Sequence, residues 1–263
     1  MDFKKENLSR LLAGKRIGNS IHFFREVDST NDVLVKLALA GAPEGAVVVA
    51  DCQTKGKGRL DRRWQSPPGC NIYCSIALRP AIAPLYAPQI TLMTGVVVAD
   101  LVSRYCPGVT LKWPNDVEIG GKKICGILTE MSAHRQDQVD FIVVGIGVNV
   151  NIRRNDLDGT IRDTATSLAD ETGQNVSRLD LAVRLFDRFD ALYAQLMHAG
   201  FGPVKDAWLS CCGMMGKQVK VVFNNSVESG KVTGIDDYGA LLISDEKGGI
   251  KRIMAGDASV LKT

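Results

Sequence analysis

Cations alternate with glycine in residues 53–64, QTKGKGRLDRRW, which follow the apolar run at 46–50. Glycine permits close backbone approaches that a side chain would block, and lysine and arginine neutralise phosphate or carboxylate oxygens. The final tryptophan offers a flat apolar face on which a base or ring can stack. This segment, called the glycine-rich loop below, predicts either an anion site or a solvated basic loop with a half-buried tryptophan. Its candidate residues are Gly56, Lys57, Gly58, Arg59, Arg62, Arg63 and Trp64.

The glycine-rich loop matches neither standard phosphate-binding pattern. Asp61 stands where a dinucleotide fingerprint needs its third glycine, and no Gly-Lys-Ser/Thr follows as a P-loop requires. The loop alone therefore does not decide between the two interpretations.

A second cluster, residues 111–117 with the sequence LKWPNDV, places a lysine between an apolar strand and a proline. Pro114 restricts the backbone, so the ammonium of Lys112 would be held in one place. The alternative is a surface lysine beside a buried tryptophan. Upstream, Ser29 or Thr30 can cap a helix that ends at Gly41, and capping alone would explain both residues.

Five motifs in order carry a resemblance to a known family. They are Ser29-Thr30-Asn31, the glycine-rich loop, Lys-Trp-Pro-Asn-Asp at 112–116, Lys-x-x-Gly-Ile-Leu-x-Glu at 123–130 and Gly-x-Gly-x-Asn at 145–149. The series closely resembles the biotin protein ligase family, from about Ser29 to the C-terminus. The resemblance implies an enzyme that uses ATP and Mg²⁺ to convert biotin to biotinyl-5'-AMP. The biotinyl group would then pass to one lysine of a biotin carboxyl carrier protein.

That chemistry explains the need for cations. A carboxylate is a weak nucleophile, and its attack on the α-phosphate of ATP brings two anions together, so the site must supply fixed positive charge and accurate positioning.

The resemblance also assigns roles to single residues. The implied catalytic residues are Lys112 and Arg59, which would contact the biotin carboxylate and the phosphate. The implied biotin site comprises Ser29, Thr30, Asn31, Gln53, Gly56, Lys57, Gly58, Arg59, Lys112 and Gly126. The implied ATP site comprises Lys57, Arg59, Arg62, Trp64, Lys112, Asn115 and Asn149, with Trp64 stacking on adenine. Asp116 is the implied Mg²⁺ residue.

The chain departs from the family at several positions. Lys57 stands where the family usually has arginine, and Leu60-Asp61 replaces a small or basic pair, which leaves the phosphate contacts of Lys57 open. Asn149 could equally be a turn residue, and Lys123 and Glu130 could form only exposed pairs. The tail at 256–262 resembles one that reaches toward the nucleotide, but its basic residue is displaced to Lys262.

Composition bounds the class of protein. A length of 263 residues with 45% hydrophobic content supports a substantial core, and a net charge of +3 gives no support for nucleic-acid binding. The 7 cysteines include no Cys-x-x-Cys pair, so buried thiols are favoured over a zinc site. No stretch approaches the ~20 apolar residues of a membrane span, and no signal-peptide pattern follows Met1, so we expect a cytoplasmic enzyme with no membrane partner.

Periodicity predicts an α+β protein. Strands are expected at 21–27, 46–50, 71–78 (half-buried), 109–112 and 141–145, with a hairpin over 117–131 and helices over 89–105 and 179–196. Short strands with tight turns follow at 219–223, 228–235, 240–244 and 250–254. We therefore predict two domains, 1–212 and 213–263. The resemblance implies a mixed sheet similar to class II aminoacyl-tRNA synthetase cores, with an SH3-like barrel docked on it.

Two other functions remain to be weighed. A biotin-responsive DNA-binding repressor would carry a helix-turn-helix ahead of the catalytic region, and the 28 residues before Ser29 leave no room for one beside the first strand. A lipoyl ligase or transferase shares the fold but lacks the Lys-Trp-Pro-Asn-Asp setting. The identity of the carrier and the choice between monomer and homodimer stay open.

Overall fold

The computed structural model describes residues 3–223 and 226–261. A mixed seven-stranded sheet has the strand order β1-β2-β3-β7-β6-β5-β4, in which β1 and β2 are parallel and the other neighbours antiparallel. Its strands are β1 (Ser20–Val27), β2 (Ala46–Gln53), β3 (Ile72–Leu78), β4 (Val109–Lys112), β5 (Asp116–Ile119), β6 (Lys122–Ser132) and β7 (Phe141–Val148). The helices are α1 (Lys5–Leu11), α2 (Thr30–Leu39), α3 (Ala87–Val102), α4 (Leu168–Thr172), α5 (Arg178–Ala199) and α6 (Gly202–Ser210).

Two apolar clusters fix this arrangement. The larger one packs α3, α5 and α6 against one face of the sheet, and the smaller one packs α2 against the other face through Leu34 and Ala38. Each fully buried leucine or valine stabilises the fold by about 1.5–3 kcal/mol relative to exposure. The stretch Pro84–Val102 has the length and hydropathy of a membrane span, but 72% of it is buried inside the protein, so it is a core helix.

The second sheet is antiparallel and has the order β11-β10-β9-β8-β12. Its strands are β8 (Gln218–Phe223), β9 (Ser226–Ile235), β10 (Leu241–Ser244), β11 (Ile250–Ile253) and β12 (Asp257–Val260). It docks on the larger sheet next to the turn between β4 and β5, where Trp113 Nε1 donates to Gly239 O at 3.0 Å. Tyr86 and Tyr238 stack beside this contact at 5.4 Å.

The α+β fold class is confirmed, and the C-terminal sheet is consistent with an SH3-like barrel. Three features differ from expectation. The strand β3 is buried along its whole length because β2 and β7 flank it at the sheet centre and helices cover both faces. Helix α6 and strand β12 were not predicted, and Cys52, Cys70, Cys211 and Cys212 are only partly buried. The predicted turn at 224–225 and Lys262 lie outside the described residues.

Candidate active site

A cavity of about 370 Å³ opens where the glycine-rich loop meets β5, β6 and β7. Its lining contains every predicted site residue except Gly56, which lines a neighbouring groove of about 890 Å³ on the other side of the loop. The lining residues predicted from sequence are Ser29, Thr30, Asn31, Gln53, Lys57, Gly58, Arg59, Arg62, Trp64, Lys112, Asn115, Asp116, Gly126 and Asn149. Elements distant in sequence thus converge on one enclosed space.

The Ser29-Thr30-Asn31 segment forms the polar end of the cavity. Ser29 caps α2, because its side chain accepts from Asp32 N, and the three residues are 2–4% exposed. Thr30 N donates to Gln53 Oε1 at 2.8 Å. The Asn31 amide donates to Glu130 Oε2 at 2.6 Å and to Leu128 O at 3.1 Å. Ser29 therefore caps α2, as the sequence allowed, and Thr30 and Asn31 in addition form a buried hydrogen-bonded network.

Ser75 completes this network. Its hydroxyl lies 2.8 Å from Thr30 Oγ1 and 2.6 Å from Asn31 Oδ1. Sequence reasoning missed it, although a serine in an otherwise apolar buried strand is the signal that could have found it. The alternative in which Glu130 forms only an exposed pair does not hold, because its carboxylate accepts from the buried Asn31.

The glycine-rich loop folds back on itself as a tight hairpin. Gly58 N donates to Arg62 O at 2.6 Å, and Trp64 N donates to Gly56 O at 2.8 Å. Leu60 and Asp61, at the tip, have positive φ angles of 53° and 57°, a conformation that costs non-glycine residues energy. A side chain on Gly56 would collide with Trp64 O, so this position needs glycine for the close approach.

Carboxylates pair with the cavity's cations. Lys112 Nζ lies 3.2 Å from Glu118 Oε1, and Lys123 Nζ lies 2.6 Å from Asp116 Oδ1. The alternative in which Lys123 forms only an exposed pair does not hold, since Lys123 and its partner Asp116 both line the cavity. Asp116 and Glu118 are alternate residues of β5, a spacing that puts both on one face, but sequence reasoning did not single out Glu118.

The C-terminal sheet reaches the same cavity through β12. Arg59 Nη1 donates to Asp257 Oδ1 and to Gly256 O, both at 3.1 Å, and Arg62 Nη2 lies 2.5 Å from Asp257 Oδ2. Burial lowers the pKa of the Arg59 guanidinium from its usual value, while the charge of Asp257 opposes the shift. On the outer side of the loop, a hydrogen bond to Asp32 raises the pKa of the Lys57 ammonium.

Trp64 forms a wall of the cavity against two facing glycines. Gly126 on β6 and Gly147 on β7 are register partners, and a Cβ added to either would lie 2.9 Å or 2.5 Å from the indole ring. Lys123 Nζ lies 5.3 Å from the ring centroid on the same side. The indole Nε1 is buried without a hydrogen-bond partner among the described residues. A planar group with a free donor therefore borders the cavity.

Asn115 and Asn149 differ in what their side chains do. The Asn115 amide donates to Ile127 O at 2.6 Å and leaves its oxygen 3.5 Å from Arg59 Nη1. The Asn149 amide donates to Thr166 O at 3.0 Å, and the residue is 4% exposed. Asn149 thus anchors the segment after β7, in line with its interpretation as a turn residue, while it still borders the cavity.

A second wall of the cavity comes from a segment that sequence reasoning did not identify. Leu157, Ile161, Thr164 and Ala165 line the cavity. Gln65 ties this segment to the glycine-rich loop, because its side chain donates to Asp156 O and accepts from Asp158 N, each at 2.9 Å.

The described residues hold no group of three or more His, Cys, Asp or Glu side chains that could bind a metal ion by themselves. A single carboxylate such as Asp116 suits Mg²⁺ only when substrate phosphates and water supply the other ligands. That donor set fits an ion that binds together with a nucleoside triphosphate.

Comparison with known sequences places these features in a family context. Residues 23–149 match the profile described as the biotin/lipoate A/B protein ligase family, and residues 215–261 match the biotin protein ligase C terminal domain. The chain is 38% identical over 242 residues to the bifunctional ligase/repressor BirA of Bacillus subtilis, covering 92% of this chain and 74% of that protein. It is 34% identical to the biotin–[acetyl-CoA-carboxylase] ligase of Paracoccus denitrificans, covering 84% and 92% respectively.

Comparison with solved structures agrees. The biotin protein ligase from Aquifex aeolicus in complex with biotin and ATP superimposes with a TM-score of 0.80 at 32% identity, over 93% of this chain and 99% of that one.

Proposed function

The chain belongs to the biotin protein ligase family, and from this we propose that it activates biotin with ATP to biotinyl-5'-AMP and passes the biotinyl group to one lysine of a biotin carboxyl carrier domain. The observation that carries the proposal is the single cavity that joins the polar network of Thr30 and Asn31, the cations Lys112 and Arg59, and the wall of Trp64.

The layout along β7 supports an order for the two substrates. Asn31 lies against Gly145, Trp64 lies against Gly147, and Asn149 follows. The two residue steps from Gly145 to Gly147 span about 7 Å and the four steps to Asn149 about 14 Å, so a ring near Asn31 and a base between Trp64 and Asn149 occupy different stretches of the chain. We assign the ureido ring of biotin to the network end and adenine to the tryptophan end. The carboxylate and the α-phosphate then meet near Lys112 and Arg59.

In the first step, the biotin carboxylate attacks the α-phosphate and pyrophosphate leaves. Lys112 offsets the repulsion between the two anions, and Arg59 stabilises the charge that develops on the phosphoryl oxygens. Asp116 would hold Mg²⁺ together with the triphosphate, and the ion would supply positive charge to the leaving pyrophosphate. In the second step, the carrier lysine attacks the acyl carbon as a neutral amine, AMP leaves, and an amide forms.

The test is to incubate the protein with ATP, a carrier domain and either biotin or lipoate, and then to probe for the attached acyl group. We expect labelling by biotin alone. Lys112→Ala should fold but lose biotin-dependent pyrophosphate release, since the developing charge loses its partner. Near-normal release by the folded variant, or labelling by lipoate instead, would contradict the assignment.

We also propose that the chain works in the cytoplasm and binds no operator DNA. Relatives named bifunctional ligase/repressor make DNA binding the second candidate. A biotin-dependent gel shift on the promoter of a biotin gene that persists at high salt would favour that candidate.

The division into domains 1–212 and 213–263 is likewise a proposal. Gly213 N donates to Leu111 O at 3.0 Å, and Met214 is 1% exposed, so the two parts share a packed boundary. Removal of residues 214–263 should lower solubility or the melting temperature. A truncated protein that stays soluble and fully active would refute a structural role for the second domain.

A further inference from the structure

Lys112 has a built-in anionic partner that the proposed function does not use. Its Nζ lies 3.2 Å from Glu118 Oε1, and the two side chains are 30% and 15% exposed. Both residues line the cavity. A partly buried ion pair is screened by salt less than a surface pair, so the contact influences what Lys112 can bind.

The strand register shows why this pairing is held in place. Lys112 faces Asp116 across β4 and β5, and Glu118 faces Lys123 across β5 and β6. The ion pairs instead run diagonally, from Lys112 to Glu118 and from Lys123 to Asp116. Two lysines and two carboxylates therefore alternate around one patch of the sheet. Each cation has a second carboxylate within reach of a side-chain rotation.

The carboxylate of Glu118 has the same chemistry as the carboxylate of biotin. We propose that Glu118 is a resident counterion of Lys112, which positions the ammonium and which the biotin carboxylate must displace. This inference rests on the proposed function, because it takes Lys112 as the residue that receives the biotin carboxylate. Glu118 is a positioning residue, and on displacement it turns to Lys123, its neighbour across the strands.

Displacement has a measurable consequence for affinity. The substrate carboxylate gains Lys112 only by breaking an existing ion pair, so the free energy of binding is the difference between two similar contacts. Glu118 also repels the incoming anion. Glu118→Gln keeps the side-chain shape and removes both effects, so biotin should bind about three- to tenfold more tightly in the absence of ATP.

The experiment is a calorimetric titration of the full chain with biotin and with biotinol, which carries a hydroxyl in place of the carboxylate. The variant Glu118→Gln should lower the Kd of biotin and leave the Kd of biotinol within about twofold of its value in the unmodified protein. The matched control is Glu228→Gln, which removes a carboxylate that pairs with Lys251 at 2.8 Å on the C-terminal sheet and should change neither ligand. Damage to the fold would weaken both ligands, so a selective gain for the charged ligand separates positioning from structure.

Unchanged or weaker biotin binding by folded Glu118→Gln would overturn the inference, and so would equal tightening of biotinol. If that variant does not fold, Glu118→Asp can replace it, because it moves the carboxylate away from Lys112 by one methylene. This variant should still increase the affinity for biotin more than the affinity for biotinol. A double variant adds a second check, since in a Lys112→Gln background the effect of Glu118→Gln on biotin should disappear. An adenylation assay on the unmodified protein keeps the two hypotheses apart. Its failure would reject the proposed function, whereas active protein without the selective gain would reject this inference alone.

Discussion

Replacement of Gly147 by alanine tests whether Trp64 is the platform for the adenine base. A Cβ at this position would lie 2.5 Å from Trp64 Nε1, 2.7 Å from Cε2 and 3.1 Å from Cζ2. The backbone of Gly147 is ordinary strand with no positive φ, so alanine adds no local strain there. The indole ring must therefore move, and the change acts on the cavity through that ring.

The expected magnitude follows from two opposing contacts. Overpacking a rigid core costs about 1–3 kcal/mol, but Trp64 is only half-buried on a loop and can swing outward, so the loss of stability should lie at the low end. Stacking of a base on an aromatic ring contributes about 1–3 kcal/mol. Loss of that contact should raise the KM for ATP about five- to 150-fold. Biotin affinity should change little, because its ring is assigned to the Asn31 end.

The assay is pyrophosphate release at varied ATP with saturating biotin, together with a separate titration of biotin. Gly159→Ala is the matched control, since an added Cβ there meets nothing within 4 Å and its φ is not positive. A folded Gly147→Ala protein whose KM for ATP equals that of the control would refute the role of Trp64. A loss of biotin affinity with ATP affinity preserved would reverse the proposed order of the substrates.

Three further predictions follow from contacts of the cavity and its surroundings. Asp257→Asn frees Arg59 and Arg62 from a competing carboxylate, so biotinyl-5'-AMP should escape about tenfold more slowly for a gain of ~1.4 kcal/mol; a streptavidin blot with serum albumin and no carrier should show less bystander labelling, and equal or greater labelling would contradict the exchange of Arg59 between Asp257 and the phosphate. Trp113→Phe removes the hydrogen bond to Gly239 O, which should lower the free energy of unfolding by about 1–3 kcal/mol. The melting temperature should therefore fall by several degrees, and an unchanged melting temperature would show that this contact does not hold the two sheets together. Burial raises the pKa of the Cys74 thiol to about 12 and raises that of Cys125 as well; both should stay protonated and resist iodoacetamide at pH 8 until the protein unfolds, and mass spectrometry that finds either one labelled in native protein would be the opposite result.

Local sequence rules predicted the elements that depend on local interactions. The capping of α2 and the long helix α5 rest on residues within a few positions of each other, so pattern and spacing predicted both, although they left the cap open between Ser29 and Thr30. The burial of β3 was underestimated because it depends on which strands flank β3 in the sheet. The alternation of apolar residues along one strand does not indicate its neighbours. Strand β12 was interpreted as a tail because its partner β8 lies far away in sequence.

The candidate site shows the same division. Motifs identified the residues that line the cavity, but they did not show which carboxylate each cation binds. Glu118 meets Lys112 because a hairpin brings two neighbouring strands together, and Asp257 meets Arg59 across 198 residues of chain. These partners depend on tertiary geometry. The carboxylate partners decide how much of each cation's charge is available to a ligand. The presence of a lysine or arginine in the sequence does not indicate this.

The pairing of Arg59 with Asp257 bears directly on how the glycine-rich loop can respond to a ligand. A guanidinium that left water to meet a phosphate would incur a large desolvation cost at the moment of binding. Arg59 has already incurred much of that cost, because its side chain is 23% exposed and is bonded to β12. A phosphate that takes this bond exchanges one charge-assisted contact for another, so the net free energy change is small and of either sign. The loop can therefore be recruited by the adenylate and returned to Asp257 after transfer, without a deep energy minimum in either state.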